Sequence, residues 1–291
     1  MNLPALPGQY RQLAQIFTRS ILERIARDAS ADVALKALKM SGISIPLASK
    51  APLTWFDRSL DILQAHYRCE YVYKAAIADR VVFGRHSPTT ASLQVELPVG
   101  RSIVDVAVFN GTSTAYEIKT EFDSNRRLAT QTPNYLKAFE RVYVVTHPDL
   151  ALRYLEIVDE RVGVLSLCRR GRLAEARKAT RDINRIDPSM LFRMLRREEY
   201  IHAVEQIYGA QPTLPNGYVS AHFGKLFASL SPSVAHSLFV EAMRRRTTDE
   251  DTVQFVSSLP KSLRVLGFST PLSGNQRQRL LKGLKEKTRL S

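Results

Sequence analysis

Residues 102–119 read S-I-V-D-V-A-V-F-N-G-T-S-T-A-Y-E-I-K, two apolar runs joined by Asn110-Gly111. Side chains alternate along a strand, so Glu117 and Lys119 share one face while Tyr116 and Ile118 take the other. Val104, Val106, Ala107 and Val108 mark a largely buried strand around Asp105, where an unpaired carboxylate is costly. Asn-Gly predicts a hairpin, and the length of its loop decides the chemistry. A two-residue turn pairs Phe109 with Thr112 and sends Asp105 and Glu117 to opposite faces. A three-residue loop over residues 110–112, with Gly111 at positive φ, pairs Asp105 with Glu117 and places both carboxylates beside Lys119. Two carboxylates and an ammonium in one place are the parts of a divalent-metal site for phosphodiester hydrolysis. A structural ion pair between Asp105 and Lys119 is the alternative.

Ahead of the hairpin, a helix predicted from about Trp55 to Arg80, with a break near Tyr67, contains Y-R-C-E-Y-V-Y-K-A-A-I-A and offers Glu70. The strand-like S-L-Q-V-E-L-P follows. After the hairpin, Q-T-P-N-Y sets Gln131 and Tyr135 four apart on one helical face. R-V-Y-V-V-T, residues 141–146, is a short buried strand. Pro133 lies inside the helix that should carry Gln131, where it removes a backbone donor. It could instead open a new helix behind a Thr132 N-cap, which would turn Gln131 away from the site.

This order of helix, strand, hairpin, helix and strand resembles the PD-(D/E)XK nuclease superfamily over about residues 60–170. The spacing of Gln131 and Tyr135 resembles the extra motif of its RecB-like branch, and E-I-K-T-E-F-D through F-E-R-V-Y-V-V-T is similar to an uncharacterised bacterial family of stand-alone members. The resemblance implies an α/β, restriction-endonuclease-like mixed sheet with an αβββαβ core. It implies that Asp105, Glu117 and the backbone carbonyl of Ile118 hold Mg²⁺, for which Mn²⁺ could substitute, and that Glu70 completes the shell or orients a second ion. Lys119 would hold or activate the attacking water and offset charge on the phosphoryl oxygens. Gln131 and Tyr135 would orient Lys119 or touch the phosphate backbone, and Arg126 and Arg127 would grip an adjacent phosphate. The leading proline of the motif is absent, since Val104 precedes Asp105.

Composition sets outer limits. A chain of 291 residues, 44% hydrophobic, buries a good core. Three segments are expected: a helical lead over residues 1–50, a nuclease-like core over 51–170 and a basic helical region over 171–291. Within the lead, residues 8–40 read as amphipathic helix, and residues 42–54 as a connector. Beyond Leu173 the chain reads as mostly helical, with good starts at Asp187-Pro188 and Ser231-Pro232.

Cys69 and Cys168 lack metal-ligand spacing and read as buried free thiols in a reducing cytoplasm. No run of 18 or more apolar residues occurs, and M-N-L-P-A-L-P-G-Q-Y has no signal layout. A cytoplasmic protein without membrane contact is the expectation.

Residues 161–291 hold 23 Lys and Arg against 11 Asp and Glu, which is +12 of the net +14. A basic region beside an acidic metal site suits a polyanionic substrate, because affinity comes largely from phosphate neutralisation. The turn R-R-G-R adds Arg169 and Arg170 to the nucleic-acid-binding candidates. The alternative is an ordinary solvated helical surface. Six histidines form no close pair and no H-E-x-x-H, no P-loop occurs, and there is no G-x-S-x-G. His147, just past a buried strand, reads as a satisfied surface histidine that could approach the site.

The resulting expectation is a metal-dependent nuclease acting on DNA, with RNA left open, used by analogy in host defence or a mobile element. The alternative is a non-catalytic nucleic-acid-binding or adaptor protein on the same scaffold, and the basic helices could also dock an acidic protein partner.

Overall fold

The structure is a computed structural model that describes residues 6–45 and 51–286; part of the expected 42–54 connector and the last five residues of the basic tail lie outside the described residues. The chain opens with α1 (Pro7–Ala14), α2 (Arg19–Asp28), α3 (Asp32–Ser41), α4 (Pro52–His66) and α5 (Glu70–Ile77), which runs on as a wide π-helical stretch over Ala78–Arg85. The single amphipathic lead is therefore three helices. Ala29 at φ 52° and Gly42 at φ 68° end α2 and α3 in the left-handed region. The break expected near Tyr67 separates α4 from α5.

Strands β1 (Ser92–Val99), β2 (Ser102–Phe109) and β3 (Ser113–Lys119) follow, then α6 (Leu128–Leu136), β4 (Arg141–Thr146), α7 (Ala151–Ile157), β5 (Gly163–Leu167) and β6 (Leu173–Arg177). The strands form one six-stranded mixed sheet in the order β1-β2-β3-β4-β5-β6. β1, β2 and β3 run antiparallel, whereas β3, β4 and β5 are parallel. Each parallel step crosses over through a helix, α6 and then α7, as a parallel connection requires. Four more helices complete this part: α8 (Pro188–Met194), α9 (Arg197–Tyr208), α10 (Asn216–Ala228) and α11 (Pro232–Arg245); the chain ends with α12 (Glu250–Ser258), α13 (Arg264–Ser269) and α14 (Gly274–Lys285). Asp187 and Ser231 do cap α8 and α11, each with proline at the first helical position.

Two readings are corrected. Residues 173–177, expected as helix, are strand β6, because Gly171 at φ 70° closes the R-R-G-R turn and returns the chain alongside β5. Pro133 does not begin a new helix: α6 starts at Leu128, and Thr132 Oγ1 bonds back to Leu128 O at 2.7 Å, so Gln131 stays on the helix one turn ahead of Tyr135.

The chain divides along lines other than the three linear segments. One compact unit runs to Pro88, resumes over Leu167–Leu173 and takes the chain from Asp249 onward; the other holds Thr89–Ser166 and Ala174–Thr248. In the first unit α14 lies against the end of α2, where a Cβ on Gly283 would stand 2.8 Å from the carbonyl carbon of Ala29 and Arg279 Nε donates to Ala26 O at 3.1 Å. Helices near the two ends of the described chain thus share one core. The second unit has its own, in which Phe109, Phe139, Val144, Leu191, Phe227 and Phe239 are all buried. Phe109 meets Phe239 edge-on, with centroids 5.6 Å apart.

Candidate active site

The hairpin takes the longer of its two possible loops. Phe109 pairs with Ser113, leaving residues 110–112 as the loop, and Gly111 sits at φ 86°. The ladder runs as far as Val106 opposite Tyr116, and one step further the same register sets Asp105 across from Glu117. At that step the strands part. The N–H of Ile118 bonds to Asp105 Oδ2 at 2.6 Å, and the Ile103 carbonyl takes the Tyr135 hydroxyl at 2.6 Å. A carboxylate from β2 and a phenol from α6 therefore fill the opening.

The other side of β2 breaks at the same residue. Val95 pairs with Val106 and Leu97 with Val104, but the intervening Glu96 and Asp105 make no ladder pair, and Glu96 has φ 55°. A left-handed residue without glycine costs about 1–2 kcal/mol, so this kink is held by its surroundings. Beyond it Val104, Leu97 and Val99 join the same buried cluster as Ala107 and Phe109.

Inside the opening, Lys119 Nζ contacts Glu117 Oε1 at 2.5 Å and the Tyr135 hydroxyl bonds to Glu117 Oε2 at 2.9 Å. Glu117 is 2% exposed and Lys119 5%. At that burial the two charges depend on each other. Lys119 is therefore paired with Glu117. Asp105 is half-buried. Burial pushes the Tyr135 hydroxyl well above its ordinary pKa, helped by the charge and hydrogen bond of Glu117 and by the charge of Asp105; the Gln131 amide, bonded to the same hydroxyl, opposes the shift. Gln131 Oε1 is buried without a hydrogen-bond partner. Asp105, Glu117, Lys119, Gln131 and Tyr135 are thus brought together on one face.

Glu70 opens α5 in the first unit, where its carboxylate meets Lys74 Nζ at 2.6 Å. Arg126 and Arg127 are exposed directly ahead of α6. Arg169 and Arg170 are exposed on the tight turn that belongs to the first unit, where Gln64 Nε2 holds the Arg169 carbonyl at 2.9 Å. Ile118 presents its side chain to the opposite face, where Tyr116 stacks on Tyr143 at 5.8 Å.

His147 is buried rather than at the surface, and its Nδ1 accepts the N–H of Asp149 at 3.2 Å. Cys69 and Cys168 are free and half-buried. Sequence reasoning missed Glu96, because Leu93, Val95 and Leu97 alternate as in an ordinary strand. It also missed the Ile103 carbonyl, which no side-chain pattern can mark.

Hard oxygen donors suit Mg²⁺, and the site has the two facing carboxylates and the unpartnered Gln131 Oε1. Among the described residues, no group of three or more His, Cys, Asp and Glu is gathered in a way that could hold a metal ion. The donor set therefore fits a divalent ion only as two carboxylates supplemented by neutral oxygens. Among the described residues no helix is long and apolar enough to cross a membrane.

Fold and site define a mixed α/β protein whose central sheet opens around a buried glutamate, lysine and tyrosine. The chain belongs to the family described as Bacteriophage P4 protein cII, whose sequence profile matches residues 64–263. It is similar to "Protein cII" of Enterobacteria phage P4, with 38% identity over 61 residues; that alignment spans 21% of this chain and 23% of the relative's own length. Among solved structures, the SPO1766 protein of unknown function from Silicibacter pomeroyi aligns over 32% of this chain and 62% of that one, at 17% identity and a TM-score of 0.27. A likeness of that size bears no weight.

Proposed function

We propose that the protein is a metal-dependent nuclease of the PD-(D/E)XK type that hydrolyses phosphodiester bonds in DNA. The observation that carries this reading is the three-residue loop, because it alone sets Asp105 opposite Glu117 with Lys119 on the same face. Asp105, Glu117 and the Ile118 carbonyl would hold Mg²⁺, with Gln131 Oε1 as a further oxygen. The ion, when bound, supplies Lewis-acid polarisation of the phosphate. Lys119 would orient the attacking water and offset phosphoryl charge. Tyr135 keeps Glu117 aimed and the two strands apart. Gln131 in turn fixes the Tyr135 hydroxyl. Membership of a family described from a bacteriophage protein agrees with use in a mobile element.

The test is cleavage of single- and double-stranded DNA by purified protein with Mg²⁺ or Mn²⁺, against chelator and against Asp105→Asn and Glu117→Gln. Cleavage that needs the ion and disappears in both variants is expected. No cleavage, or equal cleavage by Asp105→Asn, overturns the reading.

A second reading is favoured by the closure of Glu117 between Lys119 and Tyr135, which satisfies both of its oxygens inside the protein. Here the cluster is structural, and the protein binds nucleic acid without cutting it. Steeply salt-dependent DNA binding with no divalent-ion requirement and no cleavage distinguishes it.

A further inference from the structure

Many arginines of the second unit are spent on the protein itself. Arg177 and Arg185 donate to main-chain carbonyls, while Arg161, Arg181, Arg245 and Arg246 pair with Asp159, Glu140, Glu241 and Glu199. Arg101 and Arg193 differ. Both are exposed, neither forms an ion pair among the described residues, and the Arg193 guanidinium only rests on Met190 Sδ at 3.7 Å.

Local packing draws these two together. Gly100, at φ 60°, makes the β1–β2 turn that leaves Arg101 at its tip. A Cβ on Gly100 would stand 3.2 Å from Met190 Cε and 3.6 Å from Asn134 Oδ1, so α8 and α6 both lie directly against this turn. Asn134 Nδ2 also donates to Ser102 Oγ at 2.9 Å. Asn134 follows Gln131 by three residues on α6, so it is a neighbour on the helix surface. A polar strip therefore runs from Gln131, at the carboxylates, through Asn134 to Arg101 and Arg193.

We infer that Arg101 and Arg193 form a second, sequence-independent grip on the phosphate backbone of the nucleic acid, set apart from the bond held at Asp105 and Glu117. This rests on the nuclease reading. Arg101 is four residues from Asp105, roughly 13 Å along a strand, which is about four base-pair steps at ~3.4 Å each. Guanidinium groups without a carboxylate partner match phosphate oxygens two at a time. Their contacts set register without reading bases.

The experiment uses the full chain carrying Asp105→Asn and a labelled 20-base-pair duplex, with fluorescence anisotropy followed across a salt series without divalent ion. Adding Arg101→Ala and Arg193→Ala lowers affinity about ten-fold and reduces the log–log salt slope by about 1.8, the value for two lost phosphate contacts. Arg101→Lys with Arg193→Lys retains most of the slope, which excludes misfolding as the cause. Arg153→Ala with Lys178→Ala, two exposed cations elsewhere in the same unit, leaves the slope within about half a unit. An equal fall in both alanine pairs overturns the grip and leaves only general charge. If the Asp105→Asn parent fails to bind the duplex, the nuclease reading falls with it. If the parent binds and the Arg101 and Arg193 pair changes nothing, the grip alone falls.

Discussion

Asp105 Oδ2 holds the main-chain N–H of Ile118 at 2.6 Å, so an acidic side chain stands where a strand carbonyl would otherwise pair. The same residue is the half-buried carboxylate of the site. Its structural and chemical duties separate by substitution. Asp105→Asn keeps an oxygen for Ile118 and removes the charge, whereas Asp105→Ala strands a buried donor at a cost of about 1–3 kcal/mol. Urea unfolding should place Asp105→Asn near the parent and Asp105→Ala clearly below it, while titration calorimetry with Mn²⁺ shows both losing affinity. Equal stability of the two variants would refute the wedge role.

Lys119 and Glu117 stand or fall as a pair. With exposures of 5% and 2%, Lys119→Ala leaves a buried carboxylate uncompensated and destabilises by about 3–5 kcal/mol. Lys119→Met combined with Glu117→Gln loses much less. A double-mutant cycle by urea unfolding checks this, with additive losses as the contrary result. Loss of activity in Lys119→Ala or Glu117→Gln alone therefore mixes stability with chemistry, and Asp105→Asn is the cleaner probe of chemistry.

Tyr135 ties stability to alkaline pH. Its folded-state pKa lies above the unfolded value of about 10, so the folded chain keeps a proton that the unfolded chain gives up. The contribution is complete below pH about 10 and declines as pH rises past it. Tyr135→Phe should flatten that alkaline limb in thermal melts. At neutral pH it should cost about 1–3 kcal/mol, since the Ile103 carbonyl and Glu117 lose their donor.

His236 acts at the acidic end. It is 3% exposed, its Nε2 lies 2.8 Å from Ser113 Oγ, and burial lowers its pKa, with Glu140 opposing and Arg181 reinforcing the shift. A lowered folded pKa gives stability that is complete above the unfolded value of about 6.5 and is lost as pH falls below it. Melts of the parent from pH 7.5 to 5 should show this decline and His236→Gln a weaker one; parallel profiles would exclude His236 as the source.

Glu96 offers a test of the kink. Glycine has no penalty at φ 55°, so Glu96→Gly should raise stability by about 1 kcal/mol or leave it level. A valine there should lower it by more. A stabilised Glu96→Val would show that the strand can run straight through Asp105.

Much of the sheet is legible in the sequence. The strands at 92–98 and 141–146 lie within a residue or so of those observed, because short apolar runs bounded by turn residues have few other uses. The hairpin condition was legible as a fork, with Gly111 permitting the longer loop. Residues 173–177 were misread because L-A-E-A-R has good helix formers, and pairing with β5 overrode that propensity. The division into units was illegible, since α14 and α2 pack across nearly the whole length of the chain.

By itself the sequence determined which side chains could share a face: parity along β3 sets Glu117 with Lys119, and helical spacing sets Gln131 with Tyr135. Only the tertiary structure decided which of them meet. Strand parity is local, but the pairing of Lys119 with Glu117, the insertion of Tyr135 and the parting of β2 from β3 depend on where α6 packs. That position is set by burial of the sheet against helices far along the chain, which no local pattern encodes.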